Sequence, residues 1–159
     1  MMIKVLFICH GSICRSPMGM FILRNMVKEE GIAEYFRIDA AATSTEEIGN
    51  PVYPPARRKL AEMGIDSSGH RAHQLTKREY EEYDYLIAMD QWNLRNIDRL
   101  IGKDTEHKVY RCLDFTDSPA DIADPWYTDD FDTAYDDIYR GCKGFLAYLK
   151  DKYQYLKAD

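Results

Sequence analysis

Two kinds of hydrophobic segment alternate along the chain and predict an α/β fold: a single small doubly wound sheet of four parallel strands with helices on both faces. Short apolar runs, typical of strands buried on both faces, alternate with longer segments whose apolar residues recur at helical spacing. This order favours a parallel sheet, because each helix carries the chain back across the sheet. With 159 residues, against about 100 to 200 in a typical domain, residues 1–159 are expected to form one domain.

The first strand and the first helix are the clearest elements. Residues 3–9 form a continuous apolar run that contains β-branched side chains, as expected for a strand with both faces buried. Ser16 and Pro17 are residue types favoured at the N-cap and the first helical position, so a helix is predicted to begin there. Gly31 is expected to end that helix.

The remaining elements continue the alternation. Strands are predicted at 36–42, 83–89 and 107–113, and helices at 55–63, from 90 onward, and at 135–153. Two segments with proline, 43–54 and 114–132, are expected to be loops. Both follow strands, so they should meet the first turn at the carboxyl edge of the sheet, where open α/β sheets bind ligands.

Composition excludes several classes of protein. The 21 Lys and Arg residues against 27 Asp and Glu residues give a net charge of −6, the wrong sign for coating nucleic acid or an anionic membrane. The longest early apolar run is too short for a signal peptide or a membrane span. A cytoplasmic protein is therefore expected, with no nucleic acid and no membrane as partner, and with its four cysteines reduced.

Residues 9–16, Cys-His-Gly-Ser-Ile-Cys-Arg-Ser, join the first strand to the first helix. A short glycine-containing turn that ends at a helix N-terminus can direct backbone N–H groups at one anion, so a phosphate-binding loop is predicted here. The helix dipole and the guanidinium of Arg15 would both favour the thiolate, the nucleophilic form, at Cys9. Arg15 can also hold two oxygens of a tetrahedral oxyanion, and the Ser16 hydroxyl can hydrogen-bond the thiolate.

Two other interpretations of Cys9 remain open from the residues alone. A cysteine at the end of a buried strand is often only a packing residue. A metal site that uses Cys9, His10 and Cys14 is a second possibility, but no further ligand pair at conventional spacing occurs elsewhere. No metal and no cofactor are therefore predicted.

Residues 5–17 resemble the active-site loop of the low-molecular-weight protein tyrosine phosphatases. Further matches follow in order at 40–44, 48–51, 56–58, 70–72, 89–90, Asn93 and 124–125. The resemblance implies hydrolysis of protein phosphotyrosine and small aryl phosphates through a phosphocysteine on Cys9, with inorganic phosphate and other oxyanions as inhibitors. It also implies that Asp124, in the sequence Asp-Pro-Trp, is the general acid and then the base.

The same resemblance assigns supporting residues. Contacts with the substrate or its phosphate are expected from His10, Gly11, Ser12, Ile13, Cys14, Ser16, Glu46, Trp126 and Tyr127. His70 and Asp90 match family positions that support the loop through hydrogen bonds. Taken alone, the two aromatic residues are also compatible with packing, His70 with an ordinary loop histidine, and Asp90 with a helix N-cap.

Three positions depart from the family pattern. Ser12 stands where the family usually has Asn, which tolerates a left-handed backbone better. Glu46 replaces a common aromatic residue of the pocket wall, and Tyr53 replaces a common Asp. Ile13, in contrast, matches the tyrosine-specific members, since phosphoarginine-specific members typically have Thr there.

Several alternatives follow from these residues. Cys14 can either form a reversible disulfide with Cys9 or serve as a small packing residue. Phosphoarginine hydrolysis and thiol-dependent arsenate reduction are alternative activities, although no cysteine lies between Cys14 and Cys112 to complete a reductase. A non-catalytic phosphopeptide-binding module is a third alternative, but binding alone needs neither a nucleophile nor an acid.

The segment 114–137 has nine Asp residues and no Lys or Arg. Most of these carboxylates are expected to be solvated surface groups. Together they should repel acidic peptides unless such peptides approach from another side of the site.

Overall fold

The strands form one parallel sheet, as predicted. A computed structural model describes residues 2–157 of the chain. Its strands are β1 (Ile3–Cys9), β2 (Phe36–Ala42), β3 (Tyr85–Ala88) and β4 (Val109–Arg111). They lie in the order β2-β1-β3-β4, and all neighbouring strands are parallel. The α/β fold class with a four-stranded parallel sheet is therefore confirmed.

Helices cover both faces of this sheet. They are α1 (Arg15–Glu29), α2 (Pro54–Glu62), α3 (Lys77–Glu82), α4 (Gln91–Ile101), α5 (Pro125–Thr128) and α6 (Phe131–Lys152). Short 3-10 turns occur at Ala33–Tyr35, Cys112–Phe115 and Gln154–Leu156. Within residues 2–157, no helix is long and apolar enough to cross a bilayer.

Alternate residues of β1 divide the core into two layers. Val5 and Phe7 belong to the larger layer, which also contains residues of α1, α2 and α6. Leu6 and Ile8 belong to the smaller layer, with residues of α3 and α4. Because a strand directs successive side chains to opposite faces, an apolar run of this kind is buried on both.

The prediction that Ser16 caps the first helix is wrong. The helix begins two residues earlier than predicted, at Arg15, with Cys14 at the N-cap position and no side-chain cap. Ser16 is fully buried in the first turn, and its hydroxyl lies 2.7 Å from the Ser12 hydroxyl. A serine hydroxyl can bond to any nearby polar group. Here it bonds to the Ser12 hydroxyl in the turn before the helix and does not cap the helix.

Other boundaries differ from prediction in the second half of the chain. The third and fourth strands are shorter than the predicted 83–89 and 107–113, because α3 occupies the approach to β3 and a 3-10 turn follows β4. The predicted loop at 114–132 contains α5 and the start of α6, so the final helix begins at Phe131 and not at the predicted 135. Helix α3 is absent from the prediction, although Thr76 and Glu79, which form the capping box at its start, are residue types typical of a helix N-terminus.

The strand order positions the first loop at a ligand-binding edge. The chain leaves the central strand β1 toward β2 on one side and later returns to β3 on the other side, so the carboxyl end of β1 is a topological switch point. Helix α1 packs closely over β1: a Cβ on Gly19 would lie 2.7 Å from the Phe7 ring. Glycine at position 19 thus permits the close approach that holds the loop between the two elements.

Candidate active site

Cys9 is the last residue of β1, and its Sγ points at the start of α1. The Ser16 backbone N–H donates to the Cys9 Sγ at 3.3 Å, and the Ser16 hydroxyl lies at the same distance from that sulfur. Cys9 is 3% exposed. The helix N-terminus and this N–H donor therefore both present positive charge to the Cys9 sulfur.

Ser12 completes a short chain of hydroxyl groups behind this sulfur. Its hydroxyl is fully buried and lies 2.7 Å from that of Ser16. Each hydroxyl has one proton to donate. With Cys9 as a thiol, the Cys9 S–H donates to the Ser16 hydroxyl, which donates to the Ser12 hydroxyl. With Cys9 as a thiolate, rotation of the two hydroxyl groups lets Ser12 donate to Ser16 and Ser16 donate to the sulfur.

Ser12 has a left-handed backbone, with φ of 55°. Asn tolerates this conformation at lower cost than Ser. The loop is held here by His70, whose Nε2 lies 2.7 Å from the Ser12 carbonyl oxygen. A carbonyl can only accept, so Nε2 carries the proton and His70 fixes the left-handed residue from behind.

The segment that carries His70 is itself anchored to the sheet. The Ala42 N–H at the end of β2 donates to the His73 carbonyl at 2.7 Å, and the Leu75 N–H donates to the Ala42 carbonyl at 2.8 Å. The segment that follows His70 is therefore bonded to the end of β2, next to the strand that carries Cys9. This placement agrees with the expectation that His70 supports the loop.

Burial lowers the pKa of His70, outweighing the opposite effect of its hydrogen bond to Ser12. The folded protein therefore resists protonation of this ring more than the unfolded chain, in which a histidine titrates near pH 6.5. As the pH falls below about 6.5, the unfolded state gains the proton first and the free energy of unfolding decreases.

We expect His70→Asn to reduce this loss of stability in acid. Denaturant unfolding of both proteins between about pH 7.5 and 5 measures the effect. Subtracting the two curves removes the contribution of His73, whose pKa is raised by its hydrogen bond to Glu79 and which therefore has the opposite pH dependence. Equal slopes in the two proteins would show that His70 is not buried as a neutral ring.

Arg15 is the most strongly held charged side chain of the site. It is 2% exposed, and its Nη1 donates to the Asp90 carboxylate at 2.6 Å and to the Ile122 carbonyl at 2.8 Å. Its Nη2 lies 3.4 Å from Asp124. Burial opposes the charge on Arg15, but the negative charges of Cys9, Asp124 and Asp90 outweigh burial and raise its pKa.

One nitrogen of Arg15 is not used by these contacts. Its Nε is buried, and among residues 2–157 it has no hydrogen-bond partner. A buried donor without a partner is costly unless a ligand satisfies it. With two nitrogens on one edge, an arginine can hold two oxygens of an anion, and Nε is available for this on Arg15.

Asp90 makes hydrogen bonds of both kinds that the sequence left open. One carboxylate oxygen caps α4 by accepting from the Asn93 N–H at 2.8 Å, and the other accepts from Arg15. Asn93 is 1% exposed, and its Oδ1 accepts from the Met89 N–H at 2.9 Å. Sequence analysis left Asn93 without a role, although the spacing of Asp90 and Asn93 is that of a helix cap.

Asp124 is positioned by the start of the short helix α5. Its Oδ1 accepts from the Trp126 N–H at 3.0 Å, while its Oδ2 faces Arg15. The side chain is 23% exposed, so it can reach both the interior and a ligand. Of the acidic residues in 114–137, the structure places Asp124 among the lining of the pocket with Cys9.

These groups surround a small pocket of about 90 Å³. Its lining consists of Cys9, His10, Gly11, Ser12, Ile13, Cys14, Glu46, Glu47, Asp124, Trp126 and Tyr127. The structure thus brings together the residues predicted to contact the substrate, with Arg15, Ser16, His70 and Asp90 packed around them. Glu47 is an addition that sequence analysis missed.

The mouth of this pocket has aromatic and charged walls. Trp126 and Tyr127 are 51% and 81% exposed, which fits a role at the rim better than a role in the core. Trp126 also contacts Tyr53, with ring centroids 4.9 Å apart, so Tyr53 supports the wall. Glu46, which replaces an aromatic residue, lies 2.7 Å from His10 Nε2 and forms a polar wall with it.

Cys14 is the second cysteine that lines the pocket. Burial raises the pKa of the Cys14 thiol, and the negative charges of Cys9 and Asp124 add to the effect. All four cysteines are free in the structure. Among the described residues, no three His, Cys, Asp or Glu side chains group together as metal ligands.

Comparison with known proteins agrees with this geometry. The family model of the low molecular weight phosphotyrosine protein phosphatases matches residues 4–155. The low molecular weight protein-tyrosine-phosphatase YfkJ of Bacillus subtilis is 35% identical over 96% of this chain and 99% of its own. The corresponding phosphatase of Gallus gallus is 40% identical over 90% and 93% of the two chains.

Solved structures show the same relationship. The crystal structure of YfkJ superimposes with a TM-score of 0.92 and 33% identity, covering 96% of this chain and 97% of that one. The tyrosine phosphatase Wzb of Escherichia coli K30, solved in complex with sulphate, gives a TM-score of 0.81 at 26% identity over 94% and 99%. The match of a family model and of relatives over nearly the whole length shows that this chain belongs to the low molecular weight phosphotyrosine protein phosphatase family.

Proposed function

We propose that this enzyme hydrolyses protein phosphotyrosine through a phosphocysteine intermediate on Cys9. One observation supports this most strongly: Cys9 and Asp124 line the same pocket of about 90 Å³ beside a helix N-terminus, and the guanidinium of Arg15 lies 3.4 Å from Asp124. Phosphoryl transfer requires a nucleophile, a stabiliser of equatorial oxygen charge and an acid for the leaving group. Cys9, Arg15 and Asp124 provide these three.

In the first step, the Cys9 thiolate attacks phosphorus in line with the phenolic oxygen. The sulfur–phosphorus bond forms as the bond to the phenolic oxygen breaks, and the carboxylic acid of Asp124 gives its proton to that oxygen. Tyrosine leaves as the neutral phenol. The hydroxyl of Ser16 donates to the thiolate before attack, so the nucleophile is held in place.

Negative charge on the phosphoryl oxygens is stabilised by fixed groups. Arg15 is held by Asp90 and the Ile122 carbonyl, so its remaining edge is oriented before the substrate arrives. The N-terminus of α1 adds its positive dipole at the same place. Such preorganised charge is commonly the largest contribution to catalysis, because no reorganisation is needed during the reaction.

In the second step, water attacks the phosphocysteine. The Asp124 carboxylate accepts a proton from the water, the sulfur–phosphorus bond breaks, and inorganic phosphate forms. The Cys9 thiolate is regenerated with the Ser16 N–H and hydroxyl beside it, which makes it a better leaving group. Asp124 returns to its acid form, so the cycle closes without a metal or a cofactor.

The walls of the pocket favour an aromatic phosphate ester. Trp126 and Tyr127 can flank the phenolic ring, and the sulphate reported with Wzb is compatible with a tetrahedral oxyanion in the loop of this chain. Cytoplasmic localisation and the organisation of residues 1–159 as one domain remain predictions.

Phosphate release from a phosphotyrosine peptide tests this function. The reaction is run with chelator and reductant and without added metal, so that activity depends on the protein alone. We expect steady turnover that inorganic phosphate inhibits competitively. Binding of the peptide without phosphate release would instead favour a phosphopeptide-binding module, and arsenite formed from arsenate with a thiol would favour a reductase.

Substrate preference at Ile13 gives a second prediction. Ile13 is 8% exposed and lines the pocket, so its branched side chain provides an apolar surface for an aromatic ring. We expect kcat/KM for a phosphotyrosine peptide to exceed that for the matched phosphoarginine peptide by at least about tenfold, and Ile13→Thr to narrow the ratio. A higher value for phosphoarginine in the parent enzyme would reverse the substrate assignment.

A further inference from the structure

A larger groove adjoins the catalytic pocket on the side of α2. It has a volume of about 600 Å³ and shares Ile13 and Glu47 with the pocket. Pro51 and Val52 contribute apolar surface, and Arg57 is part of its charged side. The Tyr53 N–H donates to the Ile13 carbonyl at 2.8 Å, so this wall of the groove is fixed to the phosphate-binding loop.

Two arginines of α2 give this groove its charge. Arg57 and Arg58 both line it and both are exposed. Among residues 2–157, neither forms an ion pair within 4.0 Å, whereas the adjacent Lys59 is paired with Asp132 at 2.8 Å and Glu62 at 3.4 Å. Both guanidinium groups are therefore available to a ligand.

The groove on another side of the pocket has the opposite charge. It is lined by Arg15 together with the carboxylates of Asp90 and Asp124, and it has a volume of about 470 Å³. The α2 groove has two arginines against one carboxylate, that of Glu47. In a protein of net charge −6, an acidic peptide is thus repelled near Asp124 and attracted beside α2.

We propose that the α2 groove binds the peptide flank of the phosphotyrosine substrate and that Arg57 and Arg58 select acidic side chains there. This inference rests on the proposed phosphotyrosine hydrolysis. An extended peptide whose phosphotyrosine enters the pocket past Ile13 continues directly into the groove. Its backbone then passes over the apolar surface of Pro51 and Val52, and its carboxylates face the two guanidinium groups.

Three phosphotyrosine peptides of equal length test the proposal. One has two Glu residues directly before the phosphotyrosine, one has two Glu residues directly after it, and the reference has Gln at all four positions. We expect one acidic peptide to exceed the reference in kcat/KM by about three- to tenfold, as for two exposed ion pairs, and the preference to shrink at high salt. Hydrolysis of p-nitrophenyl phosphate, which has no flanking residues, calibrates the amount of active enzyme.

The variant R57Q/R58Q is expected to lose that preference, and R57E/R58E to favour peptides with Lys in place of Glu. The control variant R95Q/R99Q removes the same charge from exposed positions of α4 and should retain the preference. Equal kcat/KM for all three peptides in the parent enzyme, or a preference unchanged in R57Q/R58Q, would overturn the inference while phosphotyrosine hydrolysis stands. Absence of turnover with every peptide and with p-nitrophenyl phosphate would overturn both.

Discussion

Replacement of Cys9 by serine is expected to lower kcat by about 10⁴-fold or more while the protein still binds phosphate. A serine hydroxyl is far less acidic than a thiol, so it supplies almost no anionic nucleophile in the environment at the start of α1. The groups that we propose hold the oxyanion, Arg15 and the helix N-terminus, are unchanged. Loss of turnover with retained binding therefore separates nucleophilic attack from recognition.

Two measurements on Cys9→Ser check this expectation. Single-turnover release of phosphate gives the rate, and titration with inorganic phosphate or a phosphotyrosine peptide gives the affinity. A denaturant unfolding curve confirms that the buried site is still folded. Turnover within about tenfold of the parent enzyme would remove Cys9 as the nucleophile.

Replacement of Asp124 by asparagine has the second largest expected effect, and its size depends on the leaving group. We expect a loss of about 10² to 10⁴ in kcat/KM for phosphotyrosine, whose phenol needs a proton, and a much smaller loss for p-nitrophenyl phosphate. Asparagine retains the oxygen that caps α5 by accepting from the Trp126 N–H. The variant thus removes the transferable proton with little change in local structure.

A series of aryl phosphates with leaving groups of different pKa measures this effect. In the parent enzyme the rate should depend weakly on the leaving group, and in Asp124→Asn it should fall steeply as the phenol becomes more basic. Asp129→Asn is the matched control, because Asp129 lies in the same segment with φ of 60°, a conformation that Asn tolerates. Equal losses across the series in Asp124→Asn would contradict its role as the acid.

Local sequence patterns were sufficient to predict the central strand β1 and the anion-binding loop that follows it. The apolar run of β1 identifies a strand buried on both faces, and the glycine-containing turn before a helix identifies an anion-binding loop. Resemblance to the family then selects Asp124 from nine aspartates in one segment, which no local pattern distinguishes. In the structure, Asp124 lies next to Arg15 because α5 begins beside the first loop.

Other features depend on contacts between distant residues and could not be read locally. Ser16 has the signature of a helix cap, but its hydroxyl bonds within the loop, because Ser12 comes within 2.7 Å of it. Arg15 is held by the carbonyl of Ile122, which lies 107 positions along the chain. The absence of an ion pair at Arg57 and Arg58, found among residues 2–157, likewise depends on where the surrounding side chains lie in the folded protein.

The covalent intermediate provides the most direct test of the account. In Asp124→Asn, p-nitrophenyl phosphate should still phosphorylate the enzyme, because its leaving group needs no proton, whereas water attack should be slow without the base. A rapid denaturing quench followed by mass spectrometry of peptides should then find one phosphoryl group on Cys9, after release of one equivalent of p-nitrophenol. A phosphoryl group on another side chain, or phosphate that appears as fast as p-nitrophenol with no phosphoenzyme, would contradict the phosphocysteine mechanism.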